Sequence, residues 1–514
     1  MVRIQKKKRN VIKNIKQDSE SSSKAIALDS YRLEMHNMPV FINILKKEDD
    51  FVPAYNINIK SISRNTEIVL EKIREELITE VSLGPLDLTE VKNTSKLKEK
   101  FEKTINNLIN KYFVNLNEET QKFLCNYLIQ KCLGLGRIEI LLSDSNLEEI
   151  TINSAEEPVW VYHKKHGWLK TNITLNEEKV IKHYAGIVAR QEGRSITMLE
   201  PLLDAHMATG DRVNATLSPI SVRGNTITIR KFAAKPWTIT DVIKNKTISI
   251  SAASIIWLGI QYELSMLVAG GTASGKTSML NILSSFFPPN QRIISIEDTR
   301  ELQLPSFLHW VPMLTRLPNP EGKGAINMLD LLVNALRQRP DRIIVGEIRR
   351  KKEAEVLLEA IHTGHSVYGT IHSNDAHETI IRLTNPPIEL PKAMIPAISM
   401  VVVQNRNRRT GLRRTFQLSE ILPNAEPNII GQLNMKKDIF TSSISQSKVL
   451  TKELLHFVGL TRKEIRADLR EKGRVLRWLV KKNINTVDEV GHIIAKYYTD
   501  KDKLLRQISK KKVV

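Results

Sequence analysis

Residues 265–278 read Ser-Met-Leu-Val-Ala-Gly-Gly-Thr-Ala-Ser-Gly-Lys-Thr-Ser, an apolar run that breaks into a glycine-rich turn. The spacing from Gly270 to Gly275, Lys276 and Thr277 is G-x-x-x-x-G-K-T, the phosphate-binding loop. Glycines here let backbone N–H groups turn inward around a phosphate, because no Cβ blocks the approach. The run predicts a strand over 265–269 and a helix over 277–286. A helix that begins here aims its positive dipole end at the bound phosphate. The expected cradle is Gly270, Gly271, Thr272, Ala273, Ser274, Gly275, Lys276, Thr277 and Ser278. Lys276 is placed to reach the β- and γ-phosphates, and the Thr277 hydroxyl can hold Mg²⁺. ATP and Mg²⁺ are therefore the expected cofactors.

Outward from this loop the chain alternates strand and helix. Strands are predicted over 292–296, 342–346, 366–371 and 399–404, with helices over 326–338 and 351–363. Such alternation gives an α/β fold, a parallel sheet covered by helices. Ligands in these sheets bind at the carboxyl ends of the strands, and three clusters fall there. Ile294-Ser295-Ile296-Glu297-Asp298 is an apolar run ending in paired carboxylates, suited to a Mg²⁺ shell or to orienting water. Arg342-Ile343-Ile344-Val345-Gly346-Glu347 reads as a Walker B strand with glycine where many ATPases have aspartate. Glu347 is then the candidate for polarising an attacking water, since a base must lie within hydrogen-bond reach of it. His365 precedes and His372 follows a third apolar run. Two such histidines alone read as structural, and a zinc reading lacks a third ligand at sensible spacing. Their position after the loop and the two acidic strands is what gives them weight. Arg337, Arg339 and Arg349 flank the Walker B run without a distinguishable role.

This ordered set resembles the type II/IV secretion ATPase superfamily, matching its Walker A, Asp box, Walker B and His box. The likeness extends upstream through Leu133–Asn153, Gly210-Asp211-Arg212-Val213-Asn214 and Thr228-Ile229-Arg230-Lys231-Phe232. It covers roughly 130–425, and its form is most similar to the archaeal pilus and archaellum branch. The resemblance implies a RecA-like P-loop NTPase domain preceded by a smaller α+β domain. It implies Glu347 as catalytic glutamate, with Glu297 assisting metal or water placement. It implies that Arg212 and Arg230 reach the γ-phosphate from the N-terminal domain, and that His365 and His372 couple nucleotide state to domain position. The implied assembly is a homo-hexamer acting on a polytopic membrane platform protein.

The formal net charge is +21, and its location matters more than its size. Residues 1–16 carry +7 and residues 426–514 carry +10, leaving only +4 across 17–425. Basic ends favour an acidic partner or lipid surface. Nucleic acid is the unlikely partner: the core is near neutral, aromatics are 5% and no basic–aromatic stacking surface is visible. The competing function is a DNA-translocating P-loop ATPase; a nucleotide-gated scaffold is disfavoured by Lys276, Thr277 and Glu347 together. Two cysteines, Cys125 and Cys132, give no disulfide framework and fit the cytosol. With neither a signal peptide nor a membrane span in the sequence, the expected location is cytoplasmic, peripheral to the membrane's inner face. The expected organisation is a basic, partly disordered arm over 1–59, a helical extension over 60–135 and an α+β domain over 136–240. A linker over 241–250, the ATPase domain over 251–425 and a helical basic tail over 426–514 complete it.

Overall fold

The computed structural model describes residues 26–35, 38–48, 50–59, 64–80, 94–113, 116–133, 135–232, 236–318 and 322–510. The basic run over 1–16 lies outside the described residues. The chain divides into two compact units, residues 1–232 and 233–514.

The strands of the first unit are β1 (Ile26–Met35), β2 (Met38–Lys46), β3 (Ala54–Ile59), β4 (Leu147–Ile152), β5 (Trp160–His163), β6 (Gly167–Thr171), β7 (Leu202–His206), β8 (Arg212–Thr216) and β9 (Thr226–Arg230). They make one sheet in the order β1-β2-β3-β6-β5-β4-β9-β8-β7. Helices α4 (Ile138–Ser143) and α5 (Glu178–Gln191) share its apolar core, with Ile138, Ile181 and Val188 joining Ile150, Val161, Val213 and Ile229. Helices α1 (Arg64–Glu80), α2 (Thr94–Tyr112) and α3 (Glu118–Leu133) close a separate cluster around Leu70, Ile105 and Leu128.

Strands β1 to β3 stand where an arm was expected over 1–59. Val40, Ile42 and Ile44 are buried and their neighbours less so, the period of two that half-buries a strand. The scarcity of apolar residues ends near Ile26, and the alternating run beyond it has a face to bury.

The second unit opens with α6 (Ile239–Lys244) and α7 (Ile250–Gln261), then runs β10 (Met266–Gly270), α8 (Lys276–Ser284), β11 (Ile293–Glu297), β12 (Trp310–Leu314), α9 (Met328–Leu336), β13 (Arg342–Val345), α10 (Lys351–His362), β14 (Ser366–Ile371) and α11 (Ala376–Thr384). It continues with β15 (Met400–Arg406), β16 (Arg413–Ile421), β17 (Pro427–Asn434), β18 (Ile439–Ser442) and the helices α12 (Val449–His456), α13 (Arg462–Lys482), α14 (Val487–Thr499) and α15 (Lys501–Lys510). The sheet order is β12-β11-β13-β14-β10-β15-β16-β17-β18, parallel from β12 to β15 and antiparallel beyond. Met266 and Val268 of β10 enter one apolar cluster, Leu267 and Ala269 the other. A strand covered on both faces must be apolar throughout, which is why the run before the glycine loop is unbroken.

Two expected boundaries change. The linker over 241–250 is half helix: α6 buries Ile239 and Val242, and a Thr238–Asp241 capping box fixes its start. The helical tail over 426–514 begins with strand, because β17 and β18 extend the sheet and bury Ile430 and Leu433. The helices that follow add Ile465, Val475, Leu476, Leu479 and Ile494 to the core beneath α7. Among the described residues, no helix is long and apolar enough to cross a membrane.

Candidate active site

The loop geometry follows from its glycines. Gly270 has φ +156°, and a Cβ there would stand 2.4 Å from Ser274 Oγ and 2.6 Å from the Gln404 carbonyl. Gly275 has φ +93° and forms the N-cap of α8. Ala273 between them is also left-handed, at φ 57°. Turns of this kind point successive N–H groups into one concavity, an anion nest at a helix start. Buried Ser274 ties the loop by donating to the Gly271 carbonyl at 2.8 Å. Gly271 is half-buried, Thr272 and Ala273 are exposed on the loop, and Thr277 and Ser278 sit in the first turn of α8.

Strand order then decides which side chains meet. β14 lies between β10 and β13, so the residue after β14 is set between the loop and the Walker B turn. That residue is His372. Its Nδ1 is 3.3 Å from Lys276 Nζ, and its Nε2 is 3.1 Å from Glu347 Oε1. Lys276 also donates to the Gly271 carbonyl at 3.2 Å. The other Glu347 oxygen accepts from Arg349 Nε at 2.9 Å, and Arg349 Nη1 reaches Asp298 at 2.6 Å. Burial lowers the pKa of Lys276, and burial together with the Lys276 charge lowers that of His372. His372 is thus a neutral imidazole at neutral pH, able to accept from the lysine.

Glu297 ends β11 almost wholly buried, at 2% exposure. Its Oε1 accepts from the Glu301 and Leu302 N–H groups at 2.9 and 3.1 Å. Its Oε2 is buried without a hydrogen-bond partner. Burial outweighs the two N–H bonds and pushes its pKa up to about 7. An orphaned carboxylate oxygen and the Thr277 hydroxyl are donors of the type a hard divalent cation takes. Among the described residues, no group of three His, Cys, Asp or Glu side chains converges on a metal position.

One expected residue of the second unit lies away from the loop. His365 precedes β14, at the amino end of the strand whose carboxyl end carries His372. Seven residues of extended chain separate them by about 23 Å, and His365 instead bonds the Ala360 carbonyl and Thr363. The structure does not bring it to the loop, because a buried parallel strand takes its two flanking residues to opposite edges. Arg212 and Arg230 belong to the first unit, directly opposite one another on β8 and β9. Both are exposed, and Asp204 clamps Arg212 bidentately at 3.0 and 2.6 Å. Like charges in register repel; Glu149, opposite Arg230 on β4, offsets part of that cost.

One residue escaped the sequence reading. Arg413, at the start of β16, donates from Nε to the Ala273 carbonyl at 3.0 Å and lies along Gly275. Its signal was the arginine-rich stretch Arg406–Arg414 around Gly411, a hairpin that returns to the loop.

A parallel sheet delivering a G-x-x-x-x-G-K-T loop at a central strand's carboxyl end, with an acidic strand two places away, defines a P-loop nucleoside-triphosphate protein. The chain belongs to the type II/IV secretion system protein family, whose sequence model matches residues 138–486. It is 30% identical to an uncharacterized protein of Methanocaldococcus jannaschii over 90% of this chain and 87% of that one. It is 31% identical to the type IV secretion system protein PtlH of Bordetella pertussis over 53% of this chain and 89% of that one. The Legionella pneumophila ATPase DotB, a solved structure, matches at 18% identity and TM-score 0.43 over 73% of this chain and 95% of that one.

Proposed function

We propose that this chain is the ATP-hydrolysing motor subunit of a type IV pilus-like assembly or secretion system. The observation that carries the reading is the Lys276–His372–Glu347 chain, set by three adjacent strands at the edge where ligands bind. Lys276 takes the β- and γ-phosphates, and the loop N–H groups hold the rest. Glu347 directs water at the outermost phosphorus. Thr277 and Glu297 would hold Mg²⁺, which would neutralise phosphate charge when bound. The phosphate tail points toward the β13 side of β10, so the nucleoside leaves on the β16 side, where Arg413 lies. Arg212 and Arg230, carried on the first unit, stabilise charge spreading over the γ-phosphate and make domain position report on ATP. The working form is a homo-hexamer on the cytoplasmic face of the membrane, acting on a polytopic platform protein. The family membership and the two-unit organisation support this reading.

Glu347→Gln tests it. Losing the base lowers turnover by roughly 10²–10⁴ while ATP still binds; unchanged turnover removes Glu347 from its role. Lys276→Ala abolishes nucleotide binding itself.

A further inference from the structure

Helix α13 holds itself to the fold by one face and leaves the other for something else. Ile465, Lys472, Val475, Leu476 and Leu479 are buried. The opposite face carries Lys463, Arg466, Arg470, Arg474, Arg477 and Lys481, all exposed. They follow one another at spacings of three and four, the repeat that stacks side chains along one side of a helix. The row runs about 27 Å along the axis. No acidic residue interrupts it. Glu464 is spent on the helix N-cap, Asp468 on Lys472 and Glu471 on Lys501. Among the described residues, none of the six cations has an ion-pair partner. Holding six like charges in register costs repulsion, and no ion pair among the described residues offsets it.

We propose that this face of α13 docks the protein on an anionic lipid surface. Four of the six are arginine, whose planar fork suits phosphate oxygens. Immediately before the helix, Phe457 is 75% exposed and Val458 43% exposed, an aromatic and an aliphatic side chain placed to enter the headgroup layer. A nucleic acid fits less well. The row holds no Asn, Gln, Ser or aromatic residue to read or stack a base. The inference rests on the membrane-side placement proposed above and names the surface that achieves it.

The experiment is flotation of the full chain with phosphatidylcholine vesicles, with and without phosphatidylglycerol. Wild type floats with the anionic vesicles alone, and its bound fraction falls as salt rises. The triple variant Arg466→Gln, Arg470→Gln, Arg474→Gln loses on the order of 100-fold in partitioning, at about one kcal/mol per basic residue near the surface. Its thermal unfolding and its ATPase rate in solution stay at wild-type values. Equal flotation of variant and wild type overturns the assignment. So does a wild-type preference for duplex DNA over anionic vesicles that the same variant loses. An active ATPase that fails to float sinks the lipid surface and leaves the motor reading standing.

Discussion

At the scale of single residues, Glu297 combines a buried carboxyl with a proposed place at the metal. Its folded-state pKa of about 7 lies above the value of 4.5 for a free glutamate. The folded chain therefore keeps a proton that the unfolded chain has already released. The associated stability is fully present below about pH 4.5 and is lost as pH rises through about 7, a span worth about 3 kcal/mol. Glu297→Gln should flatten the fall in denaturant midpoint between mildly acidic and mildly alkaline buffer. Above neutral pH it should be the more stable protein, yet the poorer ATPase. A variant with wild-type pH dependence of unfolding would show that the carboxyl is not protonated at neutral pH. Arg413 makes the opposite kind of demand. Arg413→Ala removes the donor to the Ala273 carbonyl, and KM for ATP should rise about tenfold with kcat and melting temperature little changed; steady-state kinetics at saturating and limiting ATP separate the two constants.

At the scale of elements, the legible parts were those whose neighbours enforce a simple pattern. β10, β11, β13 and β14 are buried on both faces, so each reads as a mainly apolar run, and the first three give way to glycine or acid. Helix α7 is buried from Ala252 to Ile260, which erases the periodicity that marks a helix. β12 holds Pro312 and sits at the sheet's edge, where proline is tolerated and the strand signal is weak. The loop lysine and the glutamate were legible from motif spacing, Lys276 at the end of the glycine turn and Glu347 two residues past β13. His365 and His372 are close in sequence, but the strand between them sets them at opposite edges of the sheet. Lys472 was invisible as a tether. It is fully buried, donates to Gln261 and Asp468 at 2.7 Å each, and lies over the Trp257 and Tyr497 rings. Burial lowers its pKa to about 8. Removing one member of a buried pair typically costs about 3–5 kcal/mol. Lys472→Ala should therefore lower the melting temperature and expose α12 to α15 to limited proteolysis before the parallel sheet is cut. Simultaneous loss of both regions would show that the helices unfold with the sheet.

At the scale of the whole molecule, charge and catalysis occupy different ground: the excess lies at the two ends, while 17–425 is near neutral. The arginines proposed for the γ-phosphate belong to one compact unit and the phosphate loop to the other. Hydrolysis should thus depend on how the two units meet. Arg212→Ala or Arg230→Ala should each cost roughly 10³-fold in kcat, as loss of an arginine finger does, with ATP affinity retained. If the working form is a ring, specific activity should climb with protein concentration and then saturate, followed by turnover and sedimentation on the same samples. Activity independent of concentration down to the monomer would exclude the ring as the catalytic unit.

The guanidinium of Arg349 grips Glu347 with one edge and Asp298 with another, while His372 occupies the remaining oxygen of the glutamate. Three of the roughly four acceptor sites of that carboxylate are then taken, two by Arg349 and one by His372. Phosphates that draw Lys276 from the imidazole would free His372 to shift, and with it one oxygen of Glu347. With Glu347 as the proposed base, such an arrangement would hold back idle fuel consumption until nucleotide enters the pocket.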